Sequence, residues 1–289
     1  MLKIKGLLHT EYLSYIPQSY IYYSSGRRSK IQIWGLRENA RLCAISCLHV
    51  HLVGPALGVV LVSSLDFGLD YRLVKGIILS CVGGPCSWLS LALCTSDYAA
   101  SVVALNYLST LIAEPLAMII LCGRATVPPL GGIISTILTT ATPFLIGVTV
   151  KRYSGDTCTT KLCACLLAYM SCCQLLAKSG GLLTTHYVLV TIVIEFCWLV
   201  MSAGTCWLYV RCGLLKEEQF QTLAMCSIPK SLEYGWQSTC RPPGLSSLPS
   251  VFLAPAQAIL LAAMAGDDDN EYAFGDNNDG DEQRQISMQ

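Results

Sequence analysis

Apolar residues in this chain come in long blocks that are separated by short polar or charged stretches. A block of about 20 apolar residues matches the ~30 Å hydrocarbon core of a bilayer, because an α-helix rises about 1.5 Å per residue. Block length and the gaps between charges predict about eight transmembrane helices. They lie at residues 42–63, 74–95, 99–122, 132–150, 162–178, 186–210, 219–240 and 246–266.

Two of the predicted spans, the second and the seventh, combine helix-breaking residues with polar side chains. The second contains Gly83-Gly84-Pro85-Cys86-Ser87, and the seventh contains Glu233-Tyr234-Gly235-Trp236-Gln237. Non-helical backbone at bilayer depth is tolerated only where protein or a water-filled cavity satisfies it, and a carboxylate there costs several kcal/mol. We therefore expect two discontinuous helices that form an ion and substrate site.

The sequence on either side of these spans is polar. Residues 1–40 hold basic residues and a Tyr- and Ser-rich stretch that is interrupted by Pro17 and is too polar to span a membrane. After Gly266 the chain turns acidic and rich in Asn and Gly, which is typical of disordered segments. We predict a polar, basic N-terminal segment at 1–40, a transmembrane domain at 41–266 and an acidic, disordered tail at 267–289.

Composition agrees with a multi-pass membrane protein that is surrounded by lipid. Of the 289 residues, 53% are hydrophobic and 13% are charged, and the formal net charge is +0. Nothing in that balance favours nucleic acid as a partner. Most Lys and Arg residues fall in the N-terminal segment and in loops on its side of the membrane, so both termini are predicted to be cytoplasmic. The plasma membrane is the expected location.

The 16 cysteines do not suggest a metal site or a disulfide framework. Many lie within or beside apolar runs, where a free cysteine packs as a small hydrophobic residue. No pair of CxxC motifs occurs at the spacing of a zinc site. The chain also lacks a Walker loop, an HExxH motif and a Ser/His/Asp arrangement, so an enzyme is not expected and no cofactor is predicted beyond a coupling ion.

Glu233 and Gln237 are the main candidate ligands of that ion. They are four residues apart, so on a helix they share one face, and Gly235 opens the backbone between them. A carboxylate, an amide oxygen and freed backbone carbonyls suit a small, hard cation such as Na⁺. If this segment instead lies outside the membrane, Glu233 is simply solvated.

The break in the second span supplies further candidate binding groups. The exposed amides of Gly83 and Gly84 can meet an anionic group, and the Ser87 hydroxyl can bind an ion. Ser101 and Asn106 on the next span are additional candidate oxygen ligands. Glycine and proline are also common in membrane helices without any function, so the prediction depends on the presence of two such breaks.

Three other polar residues lie within predicted spans. Glu195 stands in the middle of an apolar run, where it is either a proton-coupling group or the partner of a neighbouring helix. His49 and His51 are two residues apart, so their side chains diverge on a helix and make a poor metal-binding pair.

These motifs resemble those of the sodium/bile acid cotransporters. Gly83–Ser87 is similar to that family's Gly-Gly-x-x-Ser-Asn signature, and Leu232–Gln237 resembles its Glu-x-Gly-x-Gln motif. Ser101-Val102 and the residues after it look like the helix that follows the first motif in the family. The resemblance extends over roughly residues 34–266.

The resemblance implies a fold of two inverted five-helix repeats in which two discontinuous helices cross near the membrane centre. With about eight helices, this chain would be an N-terminally truncated form of that fold. The implied function is sodium-coupled symport of a small amphipathic organic anion, such as a bile acid or a sterol sulfate. By the same resemblance, Ser87, Ser101 and Glu233 serve one sodium site, and Glu233 with Gln237 serves the other.

The sequence also departs from the family pattern. Trp88 and Ser238 stand where the family has Asn, and Val50 stands where it often has Gln. Lys230 precedes Glu233 by three residues, so on a helix its ammonium could take the charge role of a bound cation and make transport sodium-independent. In the other interpretation Lys230 reaches out to lipid headgroups. The alternative function is a transport-incompetent membrane protein with a regulatory or interaction role.

Overall fold

The computed structural model describes most of the chain up to Lys230 and a few residues beyond it. These residues are 13–29, 39–64, 70–94, 96, 98–122, 130–150, 157–178, 184–230, 249, 252–253 and 256–258. They are almost entirely helical and include no β-strand. The predicted all-α class is confirmed for this part of the chain.

The described helices follow one another closely along the chain. We label them α1 (Tyr15–Arg28), α2 (Ala40–Leu48), α3 (Gly54–Ser64), α4 (Tyr71–Val82), α5 (Ser87–Leu93), α6 (Ala99–Cys122), α7 (Leu130–Thr149), α8 (Thr157–Lys178), α9 (Thr185–Arg211) and α10 (Glu218–Ser227). A π-helical turn, His49–Val53, joins α2 to α3 without a break.

Three described helices are long and apolar enough to cross a membrane. They are the continuous helix Ala40–Ser64, most of α6 (Ala99–Leu121) and α9 (Thr185–Arg211). Two shorter apolar helices, Ile137–Thr149 and Cys158–Met170, lie within α7 and α8. All five fall largely within predicted spans, whereas the total of eight and the inverted repeat stay predictions.

The surface of α9 shows how these helices suit a bilayer. Its exposed face is apolar and includes Leu189, Val193, Phe196 and Val200. Its buried face carries the polar residues Thr191, Glu195 and Ser202. An apolar exterior around a partly polar interior is the arrangement that lipid favours, because polar groups cannot be satisfied by hydrocarbon.

The second predicted span is broken where the sequence predicts it. Helix α4 ends at Val82, and the Gly83 backbone is non-helical, with a ψ angle of 150°. Helix α5 starts only at Ser87. Pro85 cannot donate a backbone hydrogen bond, so the helix cannot continue through it. Every residue of α5 is buried, which places the break in the protein interior rather than against lipid.

Helix α1 is a feature that hydropathy did not predict. It packs along α7 and also contacts α5 and α8. The close approach depends on two glycines, because a Cβ atom on Gly26 would overlap the Phe144 carbonyl and one on Gly147 would overlap the Tyr23 carbonyl. Small residues at the crossing let two helix backbones meet, as they commonly do in membranes.

Helix α10 ends earlier than the predicted seventh span. The prediction placed the break at Gly235, but α10 stops at Ser227 and Pro229 follows in a non-helical segment. Proline lacks the N–H that would continue the helical ladder, which accounts for the early end. Residues 231–248, and with them Glu233 and Gln237, lie outside the described residues, as does the predicted tail at 267–289.

Candidate substrate and ion site

The two non-helical segments meet in the interior of the protein. Pro85 and Lys230 form an isolated antiparallel β-bridge, and the Cys86 N–H donates a hydrogen bond of 2.8 Å to the Pro229 carbonyl. This hydrogen bond pairs a backbone N–H of the first non-helical segment with a backbone carbonyl of the second. Buried backbone polar groups require such partners. The first break and the non-helical segment that follows α10 lie side by side.

Lys230 is buried at this meeting point, with 2% of its surface exposed. Its backbone N–H donates to the Gln257 side-chain oxygen at 3.1 Å, and its ammonium Nζ donates to the Val50 carbonyl at 2.6 Å. The alternative in which Lys230 reaches lipid headgroups is therefore wrong. Lys230 itself is not helical, because it is paired with Pro85 in extended form. Glu233 lies outside the described residues, so its interaction with Lys230 stays a prediction.

The π-helical turn explains why the Val50 carbonyl is available. The Gly54 N–H donates to the His49 carbonyl, one residue further back than in an α-helix. Pro55, the next residue, has no N–H to give. Neither Gly54 nor Pro55 therefore supplies a helical donor to Val50, and the lysine ammonium takes that place. A π-turn of this kind is frequent at functional sites.

Helix α9 also forms hydrogen bonds with this turn and with Gly54, the residue that follows it. The Trp198 indole Nε1 donates to the Gly54 carbonyl at 3.0 Å. The Ser202 hydroxyl, one turn along α9, shares a hydrogen bond of 2.8 Å with His49 Nε2. The turn therefore has hydrogen-bond partners on two sides. Helix α9 bonds the His49 ring and the Gly54 carbonyl, and Lys230 bonds the Val50 carbonyl.

Glu195 and His51 have partners on neighbouring helices. The Ser80 hydroxyl of α4 donates to Glu195 Oε1 at 2.9 Å, just before the first break.

His51 Nε2 shares a hydrogen bond of 2.7 Å with Ser109 of α6, whereas His49 contacts α9. The prediction that the two histidines diverge is confirmed, and the structure supports the pairing interpretation of Glu195.

Asn106 lies at a junction of three helices. Its Nδ2 donates to Ser46 Oγ of α2 at 2.7 Å and to the Cys226 carbonyl of α10 at 3.3 Å. Its Oδ1 accepts a hydrogen bond from the Cys47 thiol at 3.2 Å. Ser46 in turn bonds Ser227, the last residue of α10, at 2.8 Å. The amide that sequence reasoning selected as an ion ligand therefore also positions the end of α10.

The remaining predicted site residues, Gly83, Gly84, Ser87 and Ser101, lie in the first break or in the helices that follow it. Gly83 and Gly84 form the break itself, and Ser87 is buried at the start of α5, where its hydroxyl is hydrogen-bonded to the Tyr22 hydroxyl of α1. Ser101 lies in the first turn of α6 and is half-buried. Tyr22 was missed by sequence reasoning, because its helix has no apolar signal that would mark it as part of the domain.

In the part of the chain that the structure describes, no group of three or more His, Cys, Asp or Glu residues could hold a metal ion. Some of the described cysteines, such as Cys81, Cys206 and Cys226, are buried and pack as the sequence predicts. Others are exposed on the helix surface: Cys158, Cys165, Cys173 and Cys212.

A model of the sodium bile acid symporter family matches residues 31–203, which is more than half of the 289-residue chain. The chain belongs to this family. The resemblance that the motifs suggested is thereby confirmed, and no curated protein matches the chain. The family consists of membrane transporters that carry out sodium symport, and it is not a family of enzymes.

The family match covers some of the structural features described above and leaves out others. It includes the π-helical turn, the first break and the Glu195 and Trp198 turns of α9. It ends at residue 203, before α10 and Lys230. Lys230 therefore lies outside the matched residues, and it contacts them through Pro85 and Val50.

Proposed function

We propose that this chain is a secondary active symporter that takes up an amphipathic organic anion, such as a bile acid or a sterol sulfate, together with sodium. The observation that carries the proposal is the meeting of Pro85 and Lys230 inside a protein of the sodium bile acid symporter family. Paired helix breaks in the interior are where transporters of this general design bind substrate and ions.

A buried positive charge can attract an anionic substrate. Lys230 brings such a charge into the interior, which also holds the buried acidic side chains of Glu114 and Glu195. The Gly83 N–H donates to the Leu79 carbonyl at 3.1 Å, so the predicted role of its amide in binding an anion is wrong, and we propose that the Gly84 amide faces the anionic group of the substrate. The apolar surroundings suit its hydrophobic body, as binding pockets for amphipathic ligands generally do.

We propose oxygen ligands for sodium on both sides of the crossing. Ser87, Ser101 and Asn106 are close to the first break along the chain, and Glu233 with Gln237 follows Lys230. Hydroxyl, amide and carboxylate oxygens are the groups that a hard cation prefers. In this proposal both termini are cytoplasmic and the protein acts in the plasma membrane.

Uptake in cells tests this function. Cells that express the chain are given radiolabelled taurocholate or estrone sulfate in sodium buffer and in choline buffer, and surface labelling measures how much protein reaches the plasma membrane. We expect uptake above that of untransfected cells, and more in sodium than in choline. Surface-expressed protein that takes up neither anion would favour the transport-incompetent alternative instead.

A further inference from the structure

A buried lysine in a membrane protein requires an energetic explanation. Lys230 is among the largest fully buried side chains of the described residues, and its ammonium lies inside the protein rather than at a membrane surface. A charged group in the hydrocarbon region of a membrane is energetically costly, so intramembrane charges usually have partners and functions. The contacts of Lys230 indicate which function this one serves.

The hydrogen-bond acceptor of the ammonium is a freed backbone carbonyl. Val50 lacks a helical donor because Gly54 donates to His49 and Pro55 has no N–H. Carbonyls released in this way are typical ligands of coupling ions in transporters with interrupted helices. The 2.6 Å distance from Nζ to the Val50 oxygen places the positive charge of Lys230 where such an ion would bind.

The lysine side chain passes close to Gly54. A Cβ atom on Gly54 would be in ordinary van der Waals contact with Lys230 Cε at 3.7 Å and in a tight contact with the His49 carbonyl at 3.2 Å. Among the described residues, the Glu114 carboxylate attracts the ammonium, and His49 and His51 lie within its electrostatic range. Both imidazoles are already hydrogen-bonded to serines.

We infer that the Lys230 ammonium is a built-in cation that occupies one coupling-ion position, the one at the Val50 carbonyl. The fixed charge then does there what a bound sodium ion would otherwise do, and the chain binds fewer sodium ions than a variant without Lys230. This explains why the lysine is buried against a carbonyl instead of reaching solvent. The inference deepens the proposed function, but its test below requires no transport.

Sodium binding to purified protein in detergent tests the inference. The variants Lys230→Met and Lys230→Gln remove the charge, and Lys216→Met removes an exposed lysine as the matched control. Thermal unfolding is followed in sodium chloride and in choline chloride at equal ionic strength, since an ion that binds the folded state raises the unfolding temperature. We expect both Lys230 variants to bind sodium at least about tenfold more tightly than wild type, with the Lys216 variant unchanged. Folded Lys230 variants that gain no sodium stabilisation would overturn the inference.

Wild-type protein gives a second test that does not depend on how the variants fold. An amine-reactive reagent is applied in sodium and in choline buffer, and mass spectrometry measures the labelling of each lysine. We expect Lys230 to stay protected in both buffers while exposed Lys216 reacts in both. Labelling of Lys230 that rises with sodium would show that the ion displaces the ammonium, and labelling equal to that of Lys216 would show that the amine is not bound in the interior. Either result would contradict the inference.

Discussion

The ammonium of Lys230 and the carbonyl of Val50 are joined by a hydrogen bond of 2.6 Å in the protein interior. This contact connects the non-helical segment after α10 with the π-helical turn in the first long helix, 180 residues away in sequence. Because the Lys230 backbone is also paired with Pro85, three interrupted segments meet at one residue. A transporter of this family needs such a convergence if one site is to respond to movements of several helices.

The indole of Trp198 stabilises the π-helical turn. In Trp198→Phe, the hydrogen bond to the Gly54 carbonyl is lost, and the smaller phenyl ring leaves a void because Trp198 is buried. We expect a loss of about 2 kcal/mol or more in stability, measured as a lower unfolding temperature in detergent. Trp207→Phe, on the same helix but 56% exposed, is the control and should leave the unfolding temperature unchanged. Equal effects of the two substitutions would argue against a specific role for the indole N–H.

The contact between α1 and α7 depends on the lack of a side chain at Gly147. In Gly147→Ala, the new methyl group overlaps the Tyr23 carbonyl, so the two helices must separate and the protein should lose much of its stability. Gly131→Ala in the same helix adds a methyl group that meets no atom within 4 Å among the described residues outside its own stretch of helix, and it should be tolerated. The yield of monodisperse protein on size-exclusion chromatography distinguishes the two. A Gly147→Ala variant as stable as Gly131→Ala would show that α1 does not pack as described.

Glu195 is expected to connect helices rather than to carry protons. Gln can still accept the hydrogen bond from Ser80, so Glu195→Gln should keep both folding and the pH profile of uptake. Glu195→Ala removes the contact between α9 and α4, although the Ser80 hydroxyl can still donate to the Ile77 carbonyl at 2.7 Å, so stability should fall by about 1 kcal/mol. Uptake assays between pH 5.5 and 8, together with thermal unfolding, separate the two roles. A Gln variant that folds normally but loses pH-dependent uptake would restore the proton-coupling interpretation.

The sequence predicts the membrane-spanning helices and the first break well. Long apolar blocks identify the regions of Ala40–Ser64, α6 and α9, because burial in lipid requires length and low polarity that few other structures share. The Gly83–Pro85 break is equally visible, since glycine and proline act locally on the backbone. These features are predictable because they depend on neighbouring residues alone.

Contacts between distant segments could not be predicted in this way. Helix α1 is too polar for a hydropathy signal, and it belongs to the domain because Gly26 and Gly147 allow a close helix crossing. The partner of Lys230 depends on a π-helical turn that its sequence alone does not reveal. The early end of α10 did have a local signal, Pro229, but the more distant Gly235 was favoured because it forms part of a motif.

Glu233 is predicted to be essential for any uptake. Its carboxylate is the strongest proposed sodium ligand, and a neutral methyl group cannot replace it. In Glu233→Ala we expect uptake to fall to the background of untransfected cells while surface labelling still detects the protein. Glu218→Ala, which removes an exposed carboxylate at the start of α10, should transport normally. Uptake that is unchanged in Glu233→Ala would remove this residue from the proposed sodium site.

Gradient-driven uptake by the purified protein is the most direct test of the proposed symport. Wild-type protein is reconstituted into liposomes, and accumulation of radiolabelled taurocholate is followed after an inward sodium gradient is imposed and, separately, with sodium equal on both sides. Symport predicts that the inward gradient drives taurocholate transiently above its external concentration and that equal sodium yields only slow equilibration. Identical time courses under the two conditions, in liposomes that contain correctly folded protein, would contradict the proposed function.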